Sequence, residues 1–338
     1  MNQKPRSKAR KGTSLKKPQM VAATSKLGSS PTNAAVPTKV RELSEKLSRY
    51  PGVVGVFWGT GRKGRTWERP RAISVHVRWK RGDGELAEGE RLPKKLEGYD
   101  IDVIEVGHPT VDALDHADRI FGEGGRSSTI TAIGSEGNKT FALLSGHGTL
   151  PLVNGKIATA FDAAGPPVEV EVRDDIGVNY RGRLLRGRIG NNLGLDFAVA
   201  EFEVSVVANT FHLAVGDTPP FRMRTKAVAQ GEPLFHYSSL RKRRMRGLFQ
   251  QASVTTLELR LPDDQRATYA EVLVVDNDGV ADFSVGGDSG SLVVDEQGDV
   301  VGAVLGSSVT ARIAYVLGLQ GLESLVPAAF ALIFETTP

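Results

Sequence analysis

The residues best suited to covalent chemistry lie in a glycine-rich turn late in the sequence. Ser289 follows Asp288, is bracketed by Gly287 and Gly290, and precedes an apolar segment at 292–294. Glycines weaken a buried strand, so this run suits a tight turn that presents a serine hydroxyl. Neighbouring backbone N–H groups would then point at one position, where a carbonyl oxygen can develop negative charge. The turn therefore predicts a nucleophile loop.

A serine becomes a good nucleophile only when a base accepts its proton and a third group orients that base. Upstream, His147 follows an apolar segment, and Asp196 lies inside a second apolar run. Asp196 is 49 residues after His147 and 93 residues before Ser289. We therefore predict that His147 takes the serine proton and returns it to the leaving group. Asp196 would orient the imidazole and stabilise its charged form.

The Gly-Asp-Ser-Gly motif at 287–290, with His147 and Asp196 before it, resembles the active-site motifs of trypsin-like serine peptidases. The chymotrypsin-type template has the same order of residues, with gaps of about 45 and about 93. The resemblance covers roughly residues 127–320. It implies that the N–H groups of Gly287 and Ser289 form the oxyanion hole, and that Asp288 holds the loop by a buried pairing. The chain is also similar to bacterial trypsin-like peptidases that carry an extra N-terminal module.

The same resemblance implies a pocket for a substrate side chain. In the family its base lies six residues before the nucleophile, which is Phe283 here. Its wall follows the motif, here at Val304, Leu305, Gly306 and Ser307. Because no acid stands at the base, the resemblance implies an apolar or shallow pocket and not a preference for Lys or Arg. It implies no cofactor and no metal.

One departure from the family concerns the histidine loop, where the usual Ala-Ala-His is replaced by Ser145-Gly146-His147, followed by Gly148. Glycine is conformationally permissive, so this pattern predicts a loose loop and weaker positioning of the imidazole. The alternative to a serine endopeptidase is therefore a catalytically inactive, protease-fold binding protein.

The charge of the 338-residue chain is divided unevenly. Residues 1–40 contain nine Lys or Arg and no acid, although the net charge of the whole chain is only +4. The remainder is thus mildly acidic, at −5. Residues 1–37 lack a periodic apolar pattern and are predicted to be a disordered basic tail. Residues 1–40 and the cationic run 241–246 are candidates for weak polyanion contact, and nucleic-acid association is a third candidate function.

Residues 38–108 are predicted to form a small α+β module. Thr38 precedes a helical pattern, and strands are expected at 53–58, 73–79 and 99–106. His76 is assigned to the exposed face of the second strand. Residues 59–64 fit G-x-G-x-x-G, but no helix follows them, so we expect a hairpin and not a phosphate-binding loop.

The rest of the chain is predicted to be mainly β. Residues 109–126 are glycine-rich and are interpreted as a linker, and 127–338 contain many short strands separated by turn residues. Two groups of strands, with His147 and Asp196 in the first and Ser289 in the second, resemble the two-barrel chymotrypsin-like protease domain. A C-terminal helix is expected at 322–334.

Targeting signals are not evident in the sequence. The N-terminus lacks an apolar run typical of a secretory signal, and no segment is long enough to span a bilayer. We therefore expect a cytoplasmic protein without membrane contact, whose partner is a protein or peptide substrate. The chain contains no cysteine, so the fold cannot depend on disulfides.

Overall fold

The structure is a computed structural model, and most of the chain that it describes is β-structure. It describes residues 36–338 except 64–65, 82–85, 112–119, 122–125, 127, 165, 174–178, 191–194, 203–221, 239, 278, 280, 320–321, 323–325 and 328–338. Its helices are α1 (Thr38–Leu47) and α2 (Gly146–Thr149), with a 3₁₀ turn at Glu88–Glu90.

The strands follow one another along the chain with short connections. They are β1 (Val53–Lys63), β2 (Thr66–Val77), β3 (Lys95–Leu96), β4 (Tyr99–Glu105), β5 (Thr110–Val111), β6 (Ile120–Phe121), β7 (Ile130–Glu136), β8 (Lys139–Leu144), β9 (Leu152–Val153), β10 (Lys156–Ile157), β11 (Ala160–Asp162), β12 (Glu169–Arg173), β13 (Asn179–Gly190), β14 (Leu195–Phe202), β15 (Pro233–Ser238), β16 (Arg243–Ser253), β17 (Leu257–Arg260), β18 (Arg266–Tyr269), β19 (Val272–Asn277), β20 (Leu292–Val294), β21 (Val300–Ser308) and β22 (Ile313–Leu317). Together they form two main sheets and a small β9–β10 hairpin.

Six strands of the larger sheet close into a barrel. The antiparallel pairs run from β15 to β16, β19, β22, β21 and β20, and β20 pairs with β15 again. One apolar cluster receives side chains from all six strands, including Leu234, Phe249, Val275, Val293 and Val316. Closure leaves the barrel without a free edge of its own, which satisfies the backbone N–H and C=O groups around the ring.

The second main sheet has seven antiparallel strands in the order β6-β12-β13-β14-β8-β7, with β11 against β13. Both of its faces are buried along β14. Ala198 and Ala200 join one apolar cluster, whereas Phe197 and Val199 join another, together with barrel residues such as Leu292. This sheet therefore packs directly against the closed barrel. The predicted mainly β, two-barrel, chymotrypsin-like fold is confirmed.

The predicted N-terminal module is continuous with the barrel. Helix α1 packs Val40, Leu43 and Leu47 on β1, β2 and β4, as the helical pattern indicated. Strand β1 pairs with β16, and Phe57 lies opposite Ser253. This pairing covers the part of β16 that extends beyond its pairing with β15. Two short strands, β5 and β6, lie in the stretch interpreted as a linker.

The glycine-rich run at 59–64 does not open a helix, so the expected hairpin between β1 and β2 is confirmed. Its first residues belong to β1 and not to a loop. A Cβ on Gly59 would lie 2.2 Å from the carbonyl oxygen of Gln250, so only glycine lets β1 approach β16 this closely.

The prediction that His76 is exposed is wrong. Its side chain is fully buried, because the second face of β2 packs against the barrel. Nδ1 lies 3.2 Å from the hydroxyl of Tyr315, and Nε2 lies 3.3 Å from Oε1 of Gln251. Since Oε1 can only accept, Nε2 donates and Nδ1 accepts from the tyrosine. Alternation along a strand does not reveal that both faces are covered.

Several sequence-based expectations lie outside the described residues. The basic tail and the C-terminal helix fall almost wholly in residues 1–35 and 320–338. In the part of the chain that the structure describes, no helix is long and apolar enough to cross a membrane.

Burial of His76 should make the stability of the protein sensitive to acid. Burial lowers the pKa of His76 to about 3, below its ordinary value of 6.5. Between these two pH values the unfolded chain binds a proton at His76 and the folded chain does not, so the free energy of unfolding falls as the pH decreases. In His76→Gln, the slope of the free energy of unfolding against pH should decrease by up to about 1.4 kcal/mol per pH unit between the folded and unfolded pKa values of His76.

Urea unfolding at a series of pH values from 3 to 7 measures this dependence. His108→Gln, at an exposed histidine, is the matched control. Equal slopes for wild type and His76→Gln would show that His76 does not remain neutral in the folded protein.

Candidate active site

The structure brings together the three side chains predicted from the sequence. Oγ of Ser289 lies 2.7 Å from Nε2 of His147, and Nδ1 of the same ring is hydrogen-bonded to Oδ2 of Asp196. Because a carboxylate can only accept, Nδ1 carries the proton and Nε2 accepts from the serine hydroxyl. The His147 and Ser289 side chains are fully buried, and that of Asp196 is 2% exposed. This arrangement suits removal of a proton from the hydroxyl.

The two main sheets contribute different parts of the site. His147 lies in α2, which directly follows β8, and Asp196 is the second residue of β14. Strands β8 and β14 are neighbours, which explains how residues 49 positions apart meet. Ser289 comes from the turn that precedes β20 in the closed barrel. The site therefore lies where the two sheets pack together.

Asp196 fixes both the backbone and the ring of His147. Its Oδ1 accepts from the backbone N–H of His147 at 2.9 Å, while Oδ2 accepts from Nδ1. Two bonds to one carboxylate restrict rotation of the imidazole. Tyr269 is buried nearby, and burial together with the negative charge of Asp196 raises the pKa of its hydroxyl well above the ordinary value.

The glycines beside His147 allow close packing, so the expectation of a loose loop is wrong. A Cβ on Gly146 would lie 2.8 Å from Oδ1 of Asp196 and 2.8 Å from the carbonyl oxygen of Arg188. A Cβ on Gly148 would lie 2.7 Å from Cβ of Ser128. Real Cβ atoms do not tolerate such distances, so neither position has room for a methyl group, and Gly146 cannot be replaced by the alanine usual in the family.

The nucleophile turn is held mainly by its own backbone. The N–H of Asp288 donates to the carbonyl of Val285, and that of Ser291 donates to Asp288. Gly287 and Gly290 have φ values of +92° and +85°, which favour glycine. These glycines allow the sharp change of direction that places Ser289 toward the histidine.

Asp288 stabilises this turn through its buried carboxylate. Oδ1 accepts from the hydroxyl of Ser238 at 2.7 Å, and Oδ2 accepts from the N–H of Val285 at 3.1 Å. His236 is buried close by. Burial lowers its pKa, which the charge of Asp288 opposes. The carboxylate thus links the turn to the end of β15, as expected of a residue that holds the loop in shape.

The predicted oxyanion-hole amides differ from their neighbours in the turn. The N–H groups of Asp288, Gly290 and Ser291 each donate to a backbone carbonyl. For Gly287 and Ser289, no acceptor is present among the residues that the structure describes. Free, fixed N–H groups beside a nucleophile are what stabilisation of an oxyanion requires.

Sequence reasoning missed two residues that support the site. Thr129, directly before β7 of the seven-stranded sheet, donates its N–H to the carbonyl of Ser289 and its hydroxyl to that of Gly287, both at 2.8 Å. Arg126 is buried, and its guanidinium donates to the carbonyls of His147 and Leu150 at the two ends of α2. Both roles depend on tertiary contacts, and neither residue lies in a recognisable motif.

The predicted pocket is only partly where the resemblance placed it. Phe283 does not form its base, because the ring is fully buried in the barrel core. Val304 and Leu305 are buried, and Gly306 lies in β21 without lining the cavity described next. Ser307 alone of the predicted residues lines that cavity.

A cavity of about 220 Å³ lies between the segment that enters the nucleophile turn and the β21–β22 connection. Its wall is mixed in character. Oδ1 of Asp282 and Nη2 of Arg312 lie 3.5 Å apart beside Thr110, Asn277, Ser284 and Ser307, and Val285, Val309 and Ile313 add apolar surface. The expectation of an apolar or shallow substrate pocket therefore stays a prediction. Among the described residues, no group of three or more His, Asp or Glu is arranged to hold a metal ion.

The fold places the chain among chymotrypsin-like serine protease folds, and solved structures of that class are similar to it. A glutamic acid-specific serine protease, which uses a histidine triad in substrate binding, is 20% identical with a TM-score of 0.38, covering 62% of this chain and 95% of that one. Thermobifida fusca protease A is 14% identical with a TM-score of 0.37, covering 62% and 92%. The MamO protease domain from Magnetospirillum magneticum is 16% identical with a TM-score of 0.34, covering 62% and 94%.

These similarities concern the fold alone, which the strand pairing establishes independently. No protein-family model and no curated protein matches the sequence. The function of the site is therefore inferred from its own geometry.

Close packing at Gly146 should make Gly146→Ala damaging to the site. The added methyl group would displace the Asp196 carboxylate or α2, and such overpacking costs about 1–3 kcal/mol of stability. We expect the rate at which Ser289 reacts with a fluorophosphonate to fall by about tenfold or more, since orientation of the base is lost.

Gly89→Ala is the matched control, because a Cβ there meets nothing within 4 Å. Labelling rates and thermal unfolding are measured for both variants. An unchanged labelling rate in Gly146→Ala would show that the position of Asp196 does not govern the reactivity of the serine.

Proposed function

We propose that the protein is a serine endopeptidase that hydrolyses peptide bonds through Ser289, His147 and Asp196. The observation that supports this most strongly is the continuous hydrogen-bonded series from the serine Oγ through the imidazole to a buried carboxylate. A buried structural histidine also pairs both nitrogens, as His76 does, but it needs neither a serine hydroxyl nor a carboxylate. Here each nitrogen has the partner that proton transfer requires.

In the proposed reaction, Oγ of Ser289 attacks the substrate carbonyl while its proton moves to Nε2 of His147. Asp196 stabilises the imidazolium that forms, and the N–H groups of Gly287 and Ser289 stabilise the oxyanion. Collapse of this intermediate breaks the C–N bond, and Nε2 gives its proton to the leaving amine. Water then attacks the acyl-enzyme by the same route, releasing the acid and restoring the serine.

One observation favours the second candidate, an inactive binding protein with the protease fold. Both Ser289 and His147 have no solvent exposure, so a substrate cannot reach the hydroxyl in the conformation seen here. An inactive protein needs no access to this position, whereas a peptidase must open it.

Labelling with a fluorophosphonate, together with hydrolysis of an unfolded casein, distinguishes the two candidates. We expect the wild type to react, and Ser289→Ala to lose labelling completely because the probe bonds to that oxygen. His147→Ala and Asp196→Asn should lower the rate of hydrolysis by about 10⁴-fold or more, because removal of any triad member leaves only residual catalysis.

Ser48→Ala, at a distant exposed serine, is the control for nonspecific labelling. Circular dichroism verifies that each variant is folded. A wild type that neither reacts with the probe nor hydrolyses casein would refute the endopeptidase proposal and favour the binding protein.

A further inference from the structure

A short segment of the chain, Thr110–Val111 in β5, is paired with the barrel strand that borders the nucleophile. In this antiparallel pairing Thr110 faces Ser307 and Val111 faces Gly306. On its other side, β5 is parallel to β17, and the N–H of Arg260 donates to the carbonyl of Pro109 at 3.1 Å. Strand β5 therefore lies between β21 and β17.

The direction of the backbone groups shows how β5 binds. Successive carbonyls of a strand point to opposite sides, so the Pro109 carbonyl faces β17 and both the N–H and C=O of Thr110 face Ser307. The residues before β5 are also attached to β21, since the hydroxyl of Ser308 donates to the carbonyl of Val106 at 2.8 Å. Thr110 additionally lines the cavity beside the nucleophile turn.

This edge of β21 leads directly away from Ser289. Strand β20 pairs with β21 as far as Ala303, and the N–H of Gly290 then donates to the carbonyl of Val304. The hydroxyl of Ser289 lies 3.3 Å from the carbonyl of Leu305. The next residues on the same edge are the Gly306 and Ser307 partners of β5.

A polypeptide substrate needs this same edge. Its scissile carbonyl must contact Ser289, and an extended main chain leaving that point meets the carbonyl of Leu305 and the N–H and C=O groups of Ser307. Extended peptides bind exposed strand edges by adding a strand, with main-chain hydrogen bonds supplying affinity. Two extended segments cannot pair with the same edge at once.

We propose that Thr110–Val111 is an intramolecular occupant of the substrate-binding edge, which an extended polypeptide must displace. The inference rests on the proposed endopeptidase function and adds its regulation. Because β5 belongs to the same chain, it competes at a high effective concentration. The bound form is the resting form, and hydrolysis proceeds from the fraction of molecules in which β5 has left the edge.

A reversible crosslink tests this inference. Thr110→Cys/Ser307→Cys places two thiols at directly opposed positions, which is compatible with a disulfide, and the sequence has no other cysteine. We expect oxidation to lower hydrolysis of unfolded casein by at least about tenfold and reduction to restore it. Glu169→Cys/Arg183→Cys, an exposed opposed pair in the other sheet, controls for oxidation itself.

Weakening β5 should have the opposite effect. Thr110→Pro removes the N–H that faces Ser307, whereas Thr110→Ala retains it and is the reference. Loss of one backbone hydrogen bond shifts an equilibrium by about threefold to tenfold, so casein hydrolysis should rise by that factor relative to Thr110→Ala. Equal hydrolysis by the oxidised and reduced double-cysteine variant, or slower hydrolysis by Thr110→Pro, would overturn the proposal.

A binding measurement distinguishes failure of this inference from failure of the proposed endopeptidase function. The crosslink is repeated in a Ser289→Ala background, with binding of fluorescein-labelled casein measured by anisotropy. Binding to the reduced form only would support occupancy of the edge even if the wild type proved inactive. Equal binding to both forms would overturn the inference whatever the activity of the wild type.

Discussion

The packing of the seven-stranded sheet against the closed barrel is the constraint on which the site depends. Histidine and carboxylate come from one sheet and the serine from the other, so a small shift between the sheets would separate Nε2 from Oγ. Apolar side chains on β8 and β14 meet those of β20 and β21 in one buried cluster. Thr129 adds direct hydrogen bonds from the seven-stranded sheet to the nucleophile turn. Nondirectional burial brings the sheets together, and these bonds set their alignment.

The resemblance and the spacing of three short motifs were enough to find the site, because the chemistry demands specific residue types in a set order. The supports of the site could not be found in this way. Ser238, Arg126 and Thr129 act through contacts between residues distant in sequence. The glycines beside His147 were misread because a sequence shows conformational freedom but not the neighbours that exclude a methyl group.

The strands of the barrel were predicted unevenly for a related reason. The pattern of short strands separated by turn residues indicated a β-rich region at 127–338, but it does not mark β22. All five residues of β22 are buried, so it has no polar alternation to mark it. His76 is the opposite case. Its alternating pattern predicted a solvent-exposed side chain, but the ring is hydrogen-bonded in the interior.

Pairing of β1 with β16 limits which segments of this chain recombination can separate. A fragment starting at residue 127 would bare the β16 edge at Ala252 and Ser253 and leave Gln251 and Tyr315 without their histidine partner. Exposed edges promote association between chains. Residues 127–338 and the leading segment therefore form one structural unit, and we expect recombination that separates them to leave a barrel prone to association.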